Sequence, residues 1–201
     1  MEDSGLKVLA KKRKIKFIYS ASSSAYGDQD TYPLQEDMKP NPMSPYAIQK
    51  LVGEYYGKSF HDLFGLPFIA LRYFNVYGSG QDPESPYSGV VTVFKEQIKA
   101  GKPITVCGDG QQSRDFTHVA DVVEANVAAL NSDIKFGIYN VGTGTTTSIE
   151  TIAKILGGTE YPIEYIPARQ GDPKLTIADI SKIKKDLGWS PKVGIKEGLL
   201  C

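Results

Sequence analysis

The sequence predicts an α/β fold with mainly parallel strand pairing, on three observations. Short apolar, β-favouring runs alternate along the chain with segments of helical character, the arrangement that builds βαβ units. The helical segments carry their own start and stop residues: Ser44-Pro45 before one, Gly65 after it, and Gly101 after another. A loop of small residues, Ala21-Ser22-Ser23-Ser24-Ala25-Tyr26-Gly27, follows the first strand, and open α/β sheets place ligands at the carboxyl ends of their strands.

In chain order, residues 4–13 read as the end of a helix and 15–20 as a short buried strand running into the small-residue loop. A polar segment with Pro33, Pro40 and Pro42 follows. Ser44 caps a helix with Pro45 at its first position, running to about residue 64. Residues 66–73 read as a second buried strand, 76–87 as a loop, and 90–100 as a helix. Residues 104–107 form a strand before the turn Gly108-Asp109-Gly110. Residues 118–130 are helical, with apolar Val119, Val122, Val123, Val127 and Leu130. Strands at 138–141 and 161–166 then alternate with helices at 148–156 and 181–187.

Composition excludes several classes. The 201 residues allow one sizeable core or two small ones. Lys+Arg and Asp+Glu both number 23, which gives no basic surface for nucleic acid; the run Lys11-Lys12-Arg13-Lys14 reads as a solvated helix end. Cys107 and Cys201 make neither a disulfide framework nor a metal-binding CxxC, and His61 and His118 are too scattered for a metal site. Met1-Glu2-Asp3-Ser4-Gly5 lacks the apolar core of a signal peptide, and no apolar run approaches the roughly 18 residues of a membrane span. A cytoplasmic protein with no membrane contact is expected.

Chemistry enters with Tyr46 and Lys50, four residues apart on the helix that Ser44 caps. That spacing places them on one face, a turn apart. A phenol with an ordinary pKa of about 10 is a poor base at neutral pH, and a neighbouring ammonium favours its ionised form. The pair can then take a proton from a hydroxyl and return it. Tyr-x-x-x-Lys alone is common on helices, so the spacing needs support. The glycine-rich GxGxxG turn of a dinucleotide site is absent from the sequence; Gly142-Thr143-Gly144 follows a strand but lacks the third glycine and carries little weight.

The support is a set of ordered motifs. Phe17-Ile18-Tyr19-Ser20-Ala21-Ser22-Ser23-Ser24-Ala25-Tyr26-Gly27 comes first, then Ser44-Pro45-Tyr46 to Lys50, then Leu71-Arg72-Tyr73-Phe74-Asn75-Val76-Tyr77-Gly78. Gly108-Asp109-Gly110 with Arg114-Asp115-Phe116 follows, and Arg169-Gln170-Gly171-Asp172 ends the series. In this order they resemble the extended short-chain dehydrogenase/reductase family, and within it the NAD-dependent UDP-sugar 4-epimerases.

That resemblance implies the C-terminal part of a Rossmann-like parallel sheet over residues 1–75 plus a small α/β substrate-binding region over 76–201, with some segments of the latter returning to the Rossmann sheet. It implies Ser22, Tyr46 and Lys50 as catalytic residues, with Tyr46, Lys50 and Tyr73 also meeting NAD. Ser22, Ser23, Ser24, Asn75, Gly89, Val90, Thr105, Cys107, Arg114, Arg169, Asp172 and Thr176 would surround the UDP-sugar, and His118 would be structural. Related 4,6-dehydratases carry an Asp-Glu pair where this sequence has Ser23 and Ser24, which favours epimerisation. Threonine rather than tyrosine at Thr176 would leave room for a 2-acetamido group. In the family the NAD-binding turn lies upstream of the segment corresponding to this sequence, so the chain resembles a truncated gene product, a partial sequence or one piece of a split epimerase; NAD binding by it alone is expected to be weak or absent, and dimerisation, usual in the family, is doubtful for it. A dehydratase or decarboxylase of the same family, and a non-catalytic module that binds nucleotide sugar, remain as alternatives.

Overall fold

The computed structural model describes residues 15–85, 88–168 and 173–200. Its central sheet has three parallel strands, β1 (Phe17–Ser22), β2 (Phe68–Tyr73) and β7 (Phe136–Val141), with β2 in the middle. The register sets Phe17 beside Phe68 and Phe68 beside Phe136. Their rings stack in a row, with centroids 5.8 and 6.3 Å apart, so one face of the sheet is locked by side-chain pairs. β2 is buried from Phe68 to Arg72, as befits a strand covered on both faces.

The first strand is displaced by two residues from the expected 15–20, because its pairing with β2 continues as far as Ser22 opposite Tyr73. The expected small-residue loop is correspondingly shorter and folds as a 3₁₀ turn, Ser23–Tyr26, closed at Gly27 with φ 62°. Helix α1 (Pro45–Phe64) stands where its caps placed it: the Ser44 hydroxyl accepts the Ala47 N–H at 3.1 Å, and Gly65 ends the helix at φ 68°. The helix approaches the sheet through glycines. A Cβ at Gly53 would lie 2.2 Å from the Tyr19 ring, and one at Gly57 would lie 2.0 Å from the Phe68 ring. Only bare backbone can come so near.

Beyond β2 the chain builds a second layer. The segment expected to be a loop at 76–87 opens as a strand, β3 (Asn75–Tyr77), because it pairs in parallel with β6 (Phe116–His118). Helix α2 (Val90–Lys99) and β4 (Ile104–Cys107) follow, and β4 pairs with β9 (Ile163–Ile166). Two-residue strands β5 (Ser113–Arg114), β8 (Thr147–Ser148) and β10 (Leu175–Thr176) make a further small sheet with β5 central. Helix α3 (Val119–Asn131) covers the main sheet; α4 (Ile149–Gly157) packs on α2; α5 (Ser181–Leu187) lies against β7, and α6 (Ile195–Leu200) against α4.

Three hydrophobic clusters form among the described residues, a small one of Ala21, Phe68 and Ala70 and two larger ones. One gathers Tyr26, Ile69, Leu71, Phe74, Val122, Tyr139 and Trp189 around the main sheet. The other gathers Tyr77, Val91, Phe94, Ile104, Phe116, Ile152 and Leu199. Helix α3 buries Val122, Ala125 and Ala129, whereas Val123, Val127 and Leu130 of its expected apolar face stay 50–56% exposed. Periodicity identifies an apolar stripe; it does not supply the surface that covers it. Residues 4–13, the basic run at 11–14 and Cys201 lie outside the described residues.

Candidate active site

A cleft of about 960 Å³ opens at the carboxyl end of the main sheet. Ser22 enters it from the end of β1, Tyr46 and Lys50 from the first turns of α1, and Tyr73 and Asn75 from the end of β2 and the start of β3; Gly89 and Val90 close the far wall. A second hollow of about 310 Å³ adjoins it, lined by Asn75, Gly89, Val90, Thr105, Cys107 and Arg114. A third, of about 320 Å³, is lined by Ser22, Ser23, Ser24, Asn75, Arg114 and Thr176. Asn75 lines all three. Every expected site residue within the described segments therefore borders one connected region; Arg169 and Asp172 lie outside those segments.

The polar groups of this region are held individually. The Ser22 hydroxyl accepts from the Ser24 backbone N–H at 3.2 Å and from the Ser24 hydroxyl at 2.9 Å, which leaves its own proton for a group in the cleft. Lys50 Nζ stands 5.7 Å from the centre of the Tyr46 ring and 5.8 Å from that of Tyr19, and donates to the Ser20 carbonyl at 2.8 Å. The Tyr73 hydroxyl lies within hydrogen-bond distance of the Asn126 amide, at 2.9 Å from its nitrogen, and 3.3 Å from Ser20 Oγ. Asn75 Nδ2 donates to the Asp115 carbonyl and to Thr176 Oγ1, at 3.2 and 3.3 Å. Thr105 is gripped by Gln97 through its N–H and its hydroxyl, both at 3.0 Å. Arg114 is buried, and its Nη1 donates to the Ser113 carbonyl at 3.0 Å. A guanidinium at the floor of a hollow suits a diphosphate, for which it offers a fixed fork of donors.

The carboxylate next to Arg114 does a different job. Asp115 is fully buried and faces inward. It collects the Thr143 N–H and hydroxyl at 2.7 Å each, the Gly144 N–H at 3.0 Å and the Ala178 N–H at 3.2 Å. Burial raises this carboxyl above its ordinary value, against the pull of those donors. Gly142-Thr143-Gly144 is thus a cradle for the chain's own carboxylate. A Cβ at Gly142 would lie 2.8 Å from the Asp115 carboxylate, which accounts for the glycine there. His118 caps α3, accepting the Ala120 N–H at 3.3 Å.

Sequence reasoning missed several residues of the region. Gln49 lines the main cleft three residues after Tyr46, and the helix-face argument that paired Tyr46 with Lys50 at i, i+4 would have found it at i, i+3. Gln81 also lines the cleft, held by the Thr92 hydroxyl at 2.6 Å; no local spacing announces it. Glu54 and Arg72, buried behind the cleft, escaped as well.

Comparison with known proteins extends this geometry. The chain matches the NAD dependent epimerase/dehydratase family over residues 6–142. A putative UDP-glucose 4-epimerase of Methanocaldococcus jannaschii is 38% identical over 188 residues, covering 92% of this chain and 60% of that protein. The structure of UDP-N-acetylglucosamine 4-epimerase from Methanobrevibacter ruminantium M1, in complex with UDP-N-acetylmuramic acid, aligns with a TM-score of 0.90 at 38% identity, over 96% of this chain and 64% of that one. UDP-glucuronic acid 4-epimerase from Bacillus cereus, in complex with UDP-glucuronic acid and NAD, aligns with a TM-score of 0.86 at 35% identity, over 97% and 62%. This chain spans about 60% of the length of the curated relatives it matches. Because the match runs through the Ser22 turn, the Tyr46 helix and the strands that carry both, the chain belongs to the NAD dependent epimerase/dehydratase family.

Proposed function

We propose that this chain carries the catalytic and nucleotide-binding part of an enzyme that inverts C4 of a UDP-hexose or UDP-N-acetylhexosamine through a 4-keto sugar. The observation behind this reading is the continuity, through Asn75, between the Ser22–Tyr46–Lys50 wall and the hollow holding Arg114, Thr105 and Cys107. It has room for a sugar at one end and a nucleotide at the other. The named relatives support the substrate class.

NAD fits the described residues at its nicotinamide end, where Tyr46, Lys50 and Tyr73 offer phenol, ammonium and phenol on one side of the cleft. When bound, it supplies the oxidation and the re-reduction at C4. The residues of this chain do the rest. Tyr46 takes the proton of the 4-hydroxyl and gives it back, and Ser22 relays it through the hydroxyl proton that Ser24 leaves free. Lys50 holds positive charge beside Tyr46. Arg114 anchors the diphosphate, so that the keto sugar can turn about that link and present its other face. Ser23 and Ser24, on the third hollow, offer no carboxylic acid for elimination, which disfavours a dehydratase. No described helix is long and apolar enough to cross a membrane, and a reducing cytoplasm is the proposed setting.

The test is incubation with NAD and UDP-N-acetylglucosamine, using the chain alone and the chain fused to the NAD-binding segment of a relative, with products read by NMR. UDP-N-acetylgalactosamine from the fusion supports the reading; a 4-keto-6-deoxy product would replace it with dehydration. Thr176→Tyr sharpens the substrate class. Turnover of the N-acetylated sugar should fall while that of UDP-glucose is spared, and equal loss on both would remove the assignment of Thr176.

A further inference from the structure

The helix that presents Tyr46 and Lys50 has an unusual underside. Its fully buried residues are Ala47, Leu51, Glu54 and Gly57, of which Leu51 alone is a large apolar side chain; Phe60 and Phe64 are part-buried in the last turns, where His61 stacks on Phe136 at 5.0 Å. A face made of glycine and alanine allows close approach but has few ridges to resist rotation about the helix axis. Besides the Lys50 bond to the Ser20 carbonyl, directional contact with the sheet comes from Glu54, one turn beyond Lys50. Its carboxylate meets Arg72 of β2 in a two-pronged pair, Nε to Oε1 at 2.9 Å and Nη2 to Oε2 at 2.7 Å. Both side chains are no more than 3% exposed.

The same guanidinium also reaches the Ser22 turn. It lies 4.6 Å from the centre of the ring of Tyr26, the last residue of that turn. Tyr26 is itself fixed, its hydroxyl donating to Asn140 Oδ1 at 2.6 Å. Arg72 therefore touches both segments that carry the proton-handling groups, and the next residue along β2, Tyr73, lines the cleft. Burial works against the Arg72 charge, but the Glu54 carboxylate and the Tyr26 phenol outweigh it and shift the guanidinium upward, so it stays charged.

Resting on the assignment of Tyr46 and Lys50 made above, we propose that Glu54 and Arg72 are positioning residues, whose planar pair sets the rotation of the catalytic helix and its distance from the Ser22 turn. Stability alone is a poor reason for such a pair. Buried ion pairs replaced by apolar residues of similar volume often leave stability unchanged or improved, whereas removing one partner strands a charge. A fixed angle is what two parallel hydrogen bonds give and apolar contact does not.

The experiment separates these roles on the full chain. Three variants are compared, Glu54→Gln, Arg72→Lys and the double Glu54→Met/Arg72→Met, each with two readouts. One is the urea midpoint. The other is the NMR shift of the Lys50 ε-methylene, assigned by Lys50→Arg; it is bonded to the nitrogen that stands 5.7 and 5.8 Å from the Tyr46 and Tyr19 ring centres. The double variant should regain most of the midpoint lost by Glu54→Gln, while its Lys50 signal moves towards the random-coil value. Arg72→Lys keeps the charge but loses the fork, and should move the Lys50 signal in the same direction. In an active NAD-bound form, kcat should fall about 10²-fold with KM for the nucleotide sugar little changed, the scale of a misplacement near 1 Å. A Lys50 signal unmoved in Arg72→Lys or in the double variant would overturn the proposal. The assignment of the site fails by a different result, full turnover in Tyr46→Phe.

Discussion

The two sides of the cleft are built to different degrees of closure. On the nucleotide side, β4 and β9 pair, α2 and α4 pack on each other, and Phe94, Ile104, Val106 and Ile152 are almost wholly buried. On the catalytic side, β1 has a partner along one edge only among the described residues. Phe17 on that strand is 39% exposed, and uncovered apolar side chains flank it in both layers: Val123, Val127 and Leu130 on α3, and Val52, Tyr55 and Tyr56 on α1. Parallel sheets are normally covered on both faces and extended at their edges, and an open hydrophobic edge invites another strand. The difference teaches that the two jobs of the site are separable. On the function proposed above, nucleotide recognition would draw on the side with the closed interior, although β4 and β9 also pair along one edge only among the described residues and Tyr165 is 50% exposed, while the acid–base pair would stand beside the more open apolar surface.

That contrast can be broken by substitution. The largest effect is expected from Tyr46→Phe, which should cut turnover in an active NAD-bound form by about 10²–10⁴-fold and leave UDP binding to the chain unchanged by calorimetry. Arg114→Ala reverses the pattern. Loss of hydrogen bonds to a charged group should weaken UDP affinity by about 1.5–3 kcal/mol, without moving the NMR signals of α1. Coupled loss in both variants would show that the two sides do not work separately. Gly57→Ala tests the catalytic side mechanically. The added methyl must displace the Phe68 ring or lift the helix, at a cost of about 1–3 kcal/mol in urea unfolding.

The smallest effect concerns Glu36, behind the catalytic side. Burial raises its carboxyl above the ordinary value, partly offset by the Asn140 N–H that it accepts at 2.8 Å. A raised acid takes up protons on folding, so its contribution to stability is fully present below the unfolded value and is lost as pH rises through the folded one. Glu36→Gln keeps an acceptor without the charge. Its urea midpoint relative to the parent should therefore rise as pH increases across that window, and a pH-independent difference would exclude the assignment.

Legibility followed the range of the interactions. The bounds of α1 were readable because Ser44, Pro45 and Gly65 act within one turn of the helix ends. Strands β5, β8 and β10 were not, since two residues each become a strand only through partners far along the chain, Ser113 with Ser148 and with Leu175. The same limit governs the site. Tyr46 and Lys50 are neighbours on one helix, and their spacing could be read directly. Glu54 and Arg72 sit on different elements, and neither spacing nor composition marks a buried pair. Asp115 was visible only as part of a motif; its role appears once Thr143, Gly144 and Ala178 converge on it.

Gly53 and Gly57 leave the helix that carries Tyr46 lying on the rings of Tyr19 and Phe68. The height of Tyr46 above the sheet is then gauged by the thickness of an aromatic ring, as a shim sets the clearance of a bearing. Such a gauge is one-sided. A side chain at either position must displace the ring beneath it or raise the helix, and none can lower it, so the cleft can be opened by mutation there but not narrowed.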